Sequence, residues 1–151
     1  MNQECNAMNV DIEFKPYNSR DRGYVFDSYV RSMKSHIEKI WGWDQAWQED
    51  NFIQSLDNYL TFVVVLNGEK AGYIQFANKI EFVYLSMLVL NEQYQSKGYG
   101  SKVLIKIQSL SPALPVKLRC FKVNQLAYKF YMENSFKVIG EDQEFYTLIR
   151  E

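Results

Sequence analysis

The stretch QYQSKGYGSK, residues 93–102, joins an apolar run that predicts a strand to an amphipathic run that predicts a helix. The first N–H groups of a helix have no internal acceptor and carry partial positive charge, so a glycine turn at this position can bind an anion. Gly98 and Gly100 leave room for a ligand where a Cβ atom would collide with it. Two interpretations follow: a phosphate site, or a tight turn that binds nothing.

Two nucleotide-binding motifs are excluded at this turn. The dinucleotide fingerprint requires a third glycine at position 103, which is Val103, and the P-loop requires Gly-Lys-Ser/Thr, whereas residues 100–102 read Gly-Ser-Lys. A shorter loop remains, in which residues 95–100 present successive N–H groups to a pyrophosphate and Lys97 adds a mobile positive charge.

The chain before the turn contains strand and helix patterns in succession. Apolar and polar residues alternate over residues 10–15, which predicts a strand, and apolar residues at helical spacing over 26–40 predict a helix. Gly42 interrupts this helix, and Asp44 is placed to cap a second one. Three strands follow, at residues 59–66, 71–77 and 80–90, the first two joined by the Asn-Gly hairpin signal of NGEK (67–70).

The chain after the turn continues with a helix, a strand, a helix and two strands. The apolar run 116–121 predicts a strand, Asn124 can cap the next helix, and residues 136–141 and 144–150 predict the last two strands. The element order is therefore β-α-α-β-β-β-α-β-α-β-β. This order predicts an α/β fold, a mixed sheet with helices on both faces.

Length and composition predict one folded domain over residues 10–151, preceded by a frayed polar leader at residues 1–9. The chain has 17 Lys and Arg against 18 Asp and Glu, so no charge excess indicates binding to nucleic acid or to an anionic membrane. The leader lacks the basic start and apolar core of a signal peptide. No apolar run reaches the roughly 18 residues that a membrane span requires.

Cysteine and histidine are too few and too scattered for a metal site. Cys5 and Cys120 have no CxxC partner, and His36 is the single histidine. We therefore expect no metal, and two reduced thiols in a cytoplasmic protein.

Residues 85–107, LSMLVLNEQYQSKGYGSKVLIKI, resemble the central motif of the GCN5-related N-acetyltransferases (GNAT family), Gln/Arg-x-x-Gly-x-Gly/Ala. Gln95, Gly98 and Gly100 match it. A second family segment is similar to residues 123–140, with matches at Asn124, Ala127, Phe130, Tyr131 and Phe136. The resemblance extends over roughly residues 10 to 150, because the order of elements also agrees.

The chain departs from the family pattern at two positions. Ser135 stands where the family usually has a glycine in left-handed conformation, which costs a non-glycine residue about 1 kcal/mol. Asn134 tolerates that conformation and offers an alternative position for the end of the helix. Glu92 replaces a common proline. Neither change touches a reacting group.

The resemblance implies an N-acetyltransferase with a mostly antiparallel sheet. The enzyme moves an acetyl group from acetyl-CoA to a primary amine of a small molecule or peptide by direct attack, without a metal. The fourth strand splays from its neighbour and binds the pantetheine arm and the acetyl carbonyl, while the glycine loop binds the pyrophosphate. The implied cofactor-binding residues are Leu88, Val89, Leu90, Gln95, Ser96, Lys97, Gly98, Tyr99, Gly100, Ser101 and Asn124.

Tyr131 is implied as the proton donor to the departing thiolate, since a phenol with a pKa of about 10 is protonated at neutral pH. The alternative is that Tyr131 only packs on its helix, which phenylalanine would do equally well.

Glu81 is a candidate base if its apolar neighbours raise its pKa; the equal alternative is a solvated carboxylate at an exposed strand start. His36 is the other candidate, although a surface histidine is the favoured interpretation, and a water chain could replace both.

The acceptor site is expected around the connection between the first two helices, with Tyr29, His36, Trp41 and Trp43 as substrate-binding residues. Trp41 and Trp43 flank Gly42 and could form an aromatic face, whereas Trp47 is expected in the core. The rival interpretation of the chain is a non-catalytic acyl-CoA sensor of the same fold. Either a monomer or a homodimer is compatible with the sequence.

Overall fold

A computed structural model describes residues 10–151, so the predicted leader at 1–9 lies outside the described part. The seven strands form one sheet in the order β1-β2-β3-β4-β5-β7-β6. They are β1 (Ile12–Pro16), β2 (Leu60–Leu66), β3 (Glu69–Asn78), β4 (Val83–Leu90), β5 (Val116–Phe121), β6 (Lys137–Glu141) and β7 (Phe145–Arg150). The helices are α1 (Arg22–Ile40), α2 (Gln45–Asn58), α3 (Tyr99–Ser109) and α4 (Gln125–Glu133). Short 3-10 helices cover Ser19–Asp21 and Glu92–Tyr94.

The predicted order of strands and helices is confirmed, and local signals account for several boundaries. Asn67 and Gly68 both have positive φ, 51° and 83°, as a tight hairpin turn between β2 and β3 requires. Asp44 accepts a hydrogen bond from the Trp47 N–H at 3.0 Å and caps α2. Asn124 accepts one from the Ala127 N–H at 3.1 Å and caps α4.

The prediction that the fourth strand begins at residue 80 is wrong. Asn78 pairs with Val83, so residues 79–82 close an antiparallel hairpin, with the Lys79 N–H donating to the Phe82 carbonyl. Glu81 is therefore an exposed turn residue and lacks the apolar surroundings expected for it.

The sheet separates two cores, so the helices cover both faces as predicted. On one face α3 and α4 pack on the larger core, which includes Ile74, Leu104 and Leu148. On the other face α1 and α2 pack on a smaller core with Val25, Phe52, Val63 and Tyr73. Trp47 is not in either core, contrary to expectation: it lies on the outer face of α2 and is 59% exposed.

All neighbouring strands are antiparallel except β4 and β5, which run parallel and touch only at their starts. Val83 pairs with Val116 and Tyr84 with Lys117, and no further pair follows along either strand. From Leu85 onward β4 is hydrogen-bonded on its β3 side alone. The sheet therefore opens between β4 and β5.

Residues 10–151 contain neither a membrane-spanning helix nor a cluster of metal-binding side chains. No described helix has both the length and the apolar content needed to cross a membrane. Within the same residues, no group of three or more His, Cys, Asp or Glu side chains could hold a metal ion.

Candidate active site

The opening between β4 and β5 leaves the backbone N–H and C=O groups on one side of β4 without a partner strand. This part of β4 contains Leu88, which is half-buried, and Val89 and Leu90, which are buried. β3 holds this segment at unusually close range, because a Cβ atom on Gly72 would lie 1.8 Å from the Val89 carbonyl oxygen. Gly72 is thus required for the fixed position of the β4 backbone. A single glycine within a strand can mark such a close backbone approach, and Gly72 is the sequence signal that could have predicted it.

A bulge re-aims the side chains of β4 in the middle of the strand. Gln75 lies opposite Met87 while Phe76 lies opposite Leu85, so Ser86 is an extra residue without a partner in β3. Strand alternation is interrupted there, and both Ser86 and Met87 reach the face covered by α1 and α2. Sequence inspection did not detect this bulge.

The glycine loop follows directly from β4. The Gln95 side-chain amide donates a 2.7 Å hydrogen bond to the Leu90 carbonyl and so fixes the loop to the end of the strand. The chain then turns through left-handed conformations at Ser96 (φ 60°) and Gly98 (φ 85°). The Lys102 N–H is the first in α3 to find an internal acceptor, the Gly98 carbonyl at 3.4 Å. The N–H groups of residues 96–101 precede it at the positive end of the helix dipole.

Glycine is required at positions 98 and 100 of this loop for two different structural reasons. Gly98 has the left-handed backbone conformation that precedes the helix. Gly100 faces away from the loop opening: a Cβ atom there would lie 2.9 Å from the Phe130 ring of α4. The expectation that Gly100 makes room for a ligand is therefore wrong, since its missing side chain allows α3 and α4 to pack closely. Among the other predicted loop residues, Lys97 is exposed, and Tyr99 and Ser101 are half-buried.

Tyr131 lies at the end of α4 and is held by a helix-ending motif. The Phe136 N–H donates to the Tyr131 carbonyl at 3.1 Å and the Ser135 N–H donates to the Met132 carbonyl at 3.4 Å, which is the Schellman arrangement. The Phe136 ring packs 5.2 Å from the Tyr131 ring. Burial, and secondarily the nearby Cys120, raises the pKa of Tyr131, so its hydroxyl is protonated throughout the neutral range.

A cavity of about 250 Å³ lies on the opposite face of the sheet, between α2 and strands β3 and β4. Its lining residues are Tyr29, Asn51, Phe52, Gln54, Ser55, Asn58, Tyr59, Gln75, Ser86 and Met87. Of the predicted acceptor-site residues, Tyr29 lines the cavity, and Trp43 packs on Tyr29 with ring centres 6.2 Å apart. His36 and Trp41 are not among the lining residues.

The remaining candidates occupy other places on the same face. The His36 Nδ1 atom is buried and has no hydrogen-bond partner among residues 10–151, and burial followed by the charge of Lys39 lowers the pKa of the imidazole. Trp41, at the end of α1, packs on Phe121 (5.7 Å between ring centres) and Phe145 (6.2 Å), the facing end residues of β5 and β7. Trp41 thus reaches from α1 across the open end of the sheet.

Comparisons with known proteins agree with this architecture. Among curated proteins no sequence match was found. The structure of PaiA N-acetyltransferase from Thermoplasma acidophilum in complex with coenzyme A aligns with a TM-score of 0.70 at 19% identity, covering 93% of this chain and 99% of that one. PH1933 from Pyrococcus horikoshii OT3 aligns with a TM-score of 0.71 at 19% identity, covering 95% and 98%. At such identities these structures establish a shared fold.

Sequence comparison establishes the family. The acetyltransferase (GNAT) family profile matches residues 24–136, which include α1 from Tyr24 onward, the open edge of β4, the glycine loop and Tyr131. This range is well over half of the chain and contains both motifs on which the resemblance was based. The chain therefore belongs to the acetyltransferase (GNAT) family.

Proposed function

We propose that this protein transfers an acetyl group from acetyl-CoA to the primary amine of a small molecule or peptide, by direct attack in a ternary complex. The observation that carries the proposal is the opening of the sheet after Tyr84 and Lys117, together with the N–H groups of residues 96–101 beyond the end of β4, which have no backbone acceptor among the described residues. A long cosubstrate fits this path, with its phosphates at the loop and its thioester beside β4. The coenzyme A complex of the PaiA enzyme supports this placement by analogy of fold.

Three parts of the chain share the work of holding the cosubstrate. Residues 96–101 bind the pyrophosphate through backbone N–H groups and the helix dipole, with Lys97 as an added charge. Gln95, expected among these donors, instead donates its N–H to the Glu92 carbonyl at 3.1 Å and fixes the loop through its side chain. The free backbone groups of Leu88, Val89 and Leu90 bind the pantetheine arm and polarise the acetyl carbonyl, as fixed N–H donors suit a developing oxyanion. Asn124 contributes by capping α4, the helix that carries Tyr131.

Tyr131 donates the proton that the leaving sulfur requires. The amine nitrogen attacks the acetyl carbon, the C–N bond forms, the C–S bond breaks, and the Tyr131 hydroxyl donates its proton to the departing sulfur. The proton that leaves the amine nitrogen passes through water and restores the phenol, so the net products are the amide and the CoA thiol. Burial raises the pKa of Tyr131, so the hydroxyl stays protonated at neutral pH and can donate a hydrogen bond to the sulfur as negative charge develops on it. The burial of Tyr131 at the Schellman end of α4 holds the hydroxyl in place.

The base is the least supported role. None of the described residues that line the cavity is a carboxylate or a histidine. Glu81 as a base stays a prediction without support from its surroundings, because it lies in an exposed turn. We therefore propose that the amine reaches the thioester in its neutral form and that water takes up the proton released after attack.

The same observation favours a second candidate, a sensor that binds acyl-CoA without catalysis. A cavity with no described acid or base is what a non-catalytic member requires. Retention of the Tyr131 hydroxyl favours the enzyme, because packing on the Phe136 ring does not need it.

Calorimetric titration with acetyl-CoA and with CoA tests both candidates. We expect micromolar binding that Gly98→Glu abolishes, because the added carboxylate meets the phosphate-binding N–H groups. Gly98→Ala is the matched control, since it introduces the same strain at φ 85° without the charge, and it should retain measurable affinity. Tyr131→Phe should bind acetyl-CoA normally yet release CoA slowly in the presence of an amine. If the wild-type protein binds acetyl-CoA but neither it nor any variant releases CoA, the result supports the sensor. If the wild-type protein does not bind acetyl-CoA at concentrations up to millimolar, both the acetyltransferase and the sensor are rejected.

A further inference from the structure

The cavity adjoins β4 beside the opening but on the face away from α3 and α4. Ser86 and Met87 contribute to its wall, whereas Leu88 packs on the opposite core. An acceptor seated in the cavity therefore meets the edge of β4 from the side opposite to the glycine loop. If the proposed function holds, the chemistry of this wall selects the acceptor.

The wall is polar and uncharged. No Asp, Glu, Lys, Arg or His is among the described residues that line it. Asn51, Gln54 and Asn58 follow one another at intervals of three and four residues, so their carboxamides share one face of α2. They are exposed at the cavity and extend along about 10 Å of helix. Each carboxamide offers both donors and an acceptor, the groups that complement an amide.

Gln75 at the floor is fixed in one orientation. The Ser55 hydroxyl donates its single proton to the Phe52 carbonyl at 2.6 Å, so it must accept the 3.0 Å hydrogen bond from Gln75. The second Gln75 N–H is directed to the Thr61 hydroxyl at 3.1 Å. Both donors are thus used within the protein, and the Gln75 carbonyl oxygen remains as an acceptor in a residue that is 2% exposed.

A charge that reaches the buried floor of this cavity, where Gln75 is 2% exposed, loses hydration and gains no counter-charge. The penalty falls on an ammonium group as well, so the cavity favours an amine that is already neutral. An α-amine with a pKa near 7.8 is about one third neutral at pH 7.5, and a lysine-type amine with a pKa near 10.4 is neutral on the order of 200-fold less often. Weakly basic amines therefore enter at the smallest cost.

We propose that the acceptor is a weakly basic amine, such as an α-amine, attached to an uncharged amide-bearing group that binds the carboxamides of α2 and the Gln75 oxygen. This proposal rests on the proposed acetyltransferase function. The chemistry is shared by two sources: a free amino acid amide, or the first residues of a polypeptide.

The test compares three acceptors that share one α-amine and differ in side-chain charge: glycyl-glutamine amide, glycyl-glutamate α-amide and glycyl-arginine amide. CoA release should give a kcat/KM at least tenfold higher for the neutral compound. Gln54→Glu places a charge on the cavity wall and should lower kcat/KM for the neutral compound about fivefold while raising it for the arginine compound. Gln143→Glu is the matched control, because this exposed residue of the β6–β7 turn is not in the wall, and its preferences should equal wild type.

A twelve-residue uncharged peptide with the same first two residues distinguishes the sources: a higher kcat/KM than the dipeptide amide assigns a polypeptide, and an equal or lower one a free compound. Equal or better turnover of a charged acceptor overturns the inference, as does an unaltered preference in Gln54→Glu. Acetyl-CoA binding with turnover of none of the three also overturns it. Failure to bind acetyl-CoA removes the acetyltransferase function itself.

Discussion

Replacing Ser135 by glycine should stabilise the protein. Ser135 has φ 68° at the left-handed position of the Schellman motif that ends α4. Left-handed backbone costs a residue with a Cβ atom about 1–2 kcal/mol, and glycine returns about 0.4–1 kcal/mol of this through the greater freedom of the unfolded chain. The exposed hydroxyl makes no compensating core contact. We expect a net gain of roughly 0.5–1 kcal/mol in the free energy of unfolding, or about 1–4 °C in Tm.

Urea unfolding followed by circular dichroism measures this gain, with two controls. Ser135→Ala keeps the Cβ atom and therefore the strain, so it should match wild type. Ser35→Gly removes the same atoms from an exposed position within α1, where glycine lowers stability by about 0.5 kcal/mol. Opposite signs for the two glycine variants are the expected result. A Ser135→Gly protein no more stable than wild type would refute the strain argument.

Four other variants test burial. Tyr73→Phe should leave unfolding free energy unchanged or raise it by about 1 kcal/mol, because its buried hydroxyl has no described partner, whereas Tyr29→Phe should lower it by loss of a hydrogen bond; urea unfolding separates them. Burial raises the pKa of Cys120 to about 11, so in Cys5→Ser protein iodoacetamide at pH 8.5 should label it only upon unfolding, by mass spectrometry. Gly100→Ala should lower the free energy of unfolding by about 1–3 kcal/mol through overpacking against Phe130, which thermal unfolding detects as a lower Tm.

The pH dependence of stability follows from the same raised values. A thiol or phenol whose pKa is higher in the folded than in the unfolded chain stabilises the fold below the unfolded pKa and loses this contribution as pH rises. Cys120 and Tyr29, with folded values of about 11 and about 12, should therefore cause Tm to decline above roughly pH 8.5 and more steeply above pH 10. A flat Tm between pH 8 and 11.5 would contradict this.

Local signals in the sequence were sufficient for the order of elements. The Asn-Gly turn, the caps at Asp44 and Asn124 and the helical periodicities act over a few residues, so they can be interpreted without knowing the fold. The family pattern left two positions for the left-handed residue at the end of α4, Ser135 and Asn134, and the structure has it at Ser135, whereas Asn134 has φ -106°.

Features that depend on contacts between distant segments were not accessible. Glu81 seemed to extend an apolar run, but the pairing of β3 with β4 determines where the turn falls. Gly100 seemed part of a ligand cradle, but the direction of its missing Cβ atom depends on how Phe130 packs. The bulge at Ser86 and the uncharged wall of α2 arise from register and helix rotation, neither of which leaves a local mark.

Because β4 and β5 pair at only two positions, the two parts of the sheet on either side of the opening can be regarded as joined at one end. The pairs of Val83 with Val116 and of Tyr84 with Lys117 form this joint, which we call the pivot. Phe121 lies five residues beyond Val116 on β5, about 16 Å away. A rotation of roughly five degrees at the pivot would thus change the separation at the far end by about 1.5 Å. Trp41 of α1 packs on Phe121 at that far end, where a rotation at the pivot produces the largest displacement. Loss of the Trp41 ring would therefore remove a contact between α1 and β5 at the place where a small rotation changes the opening most.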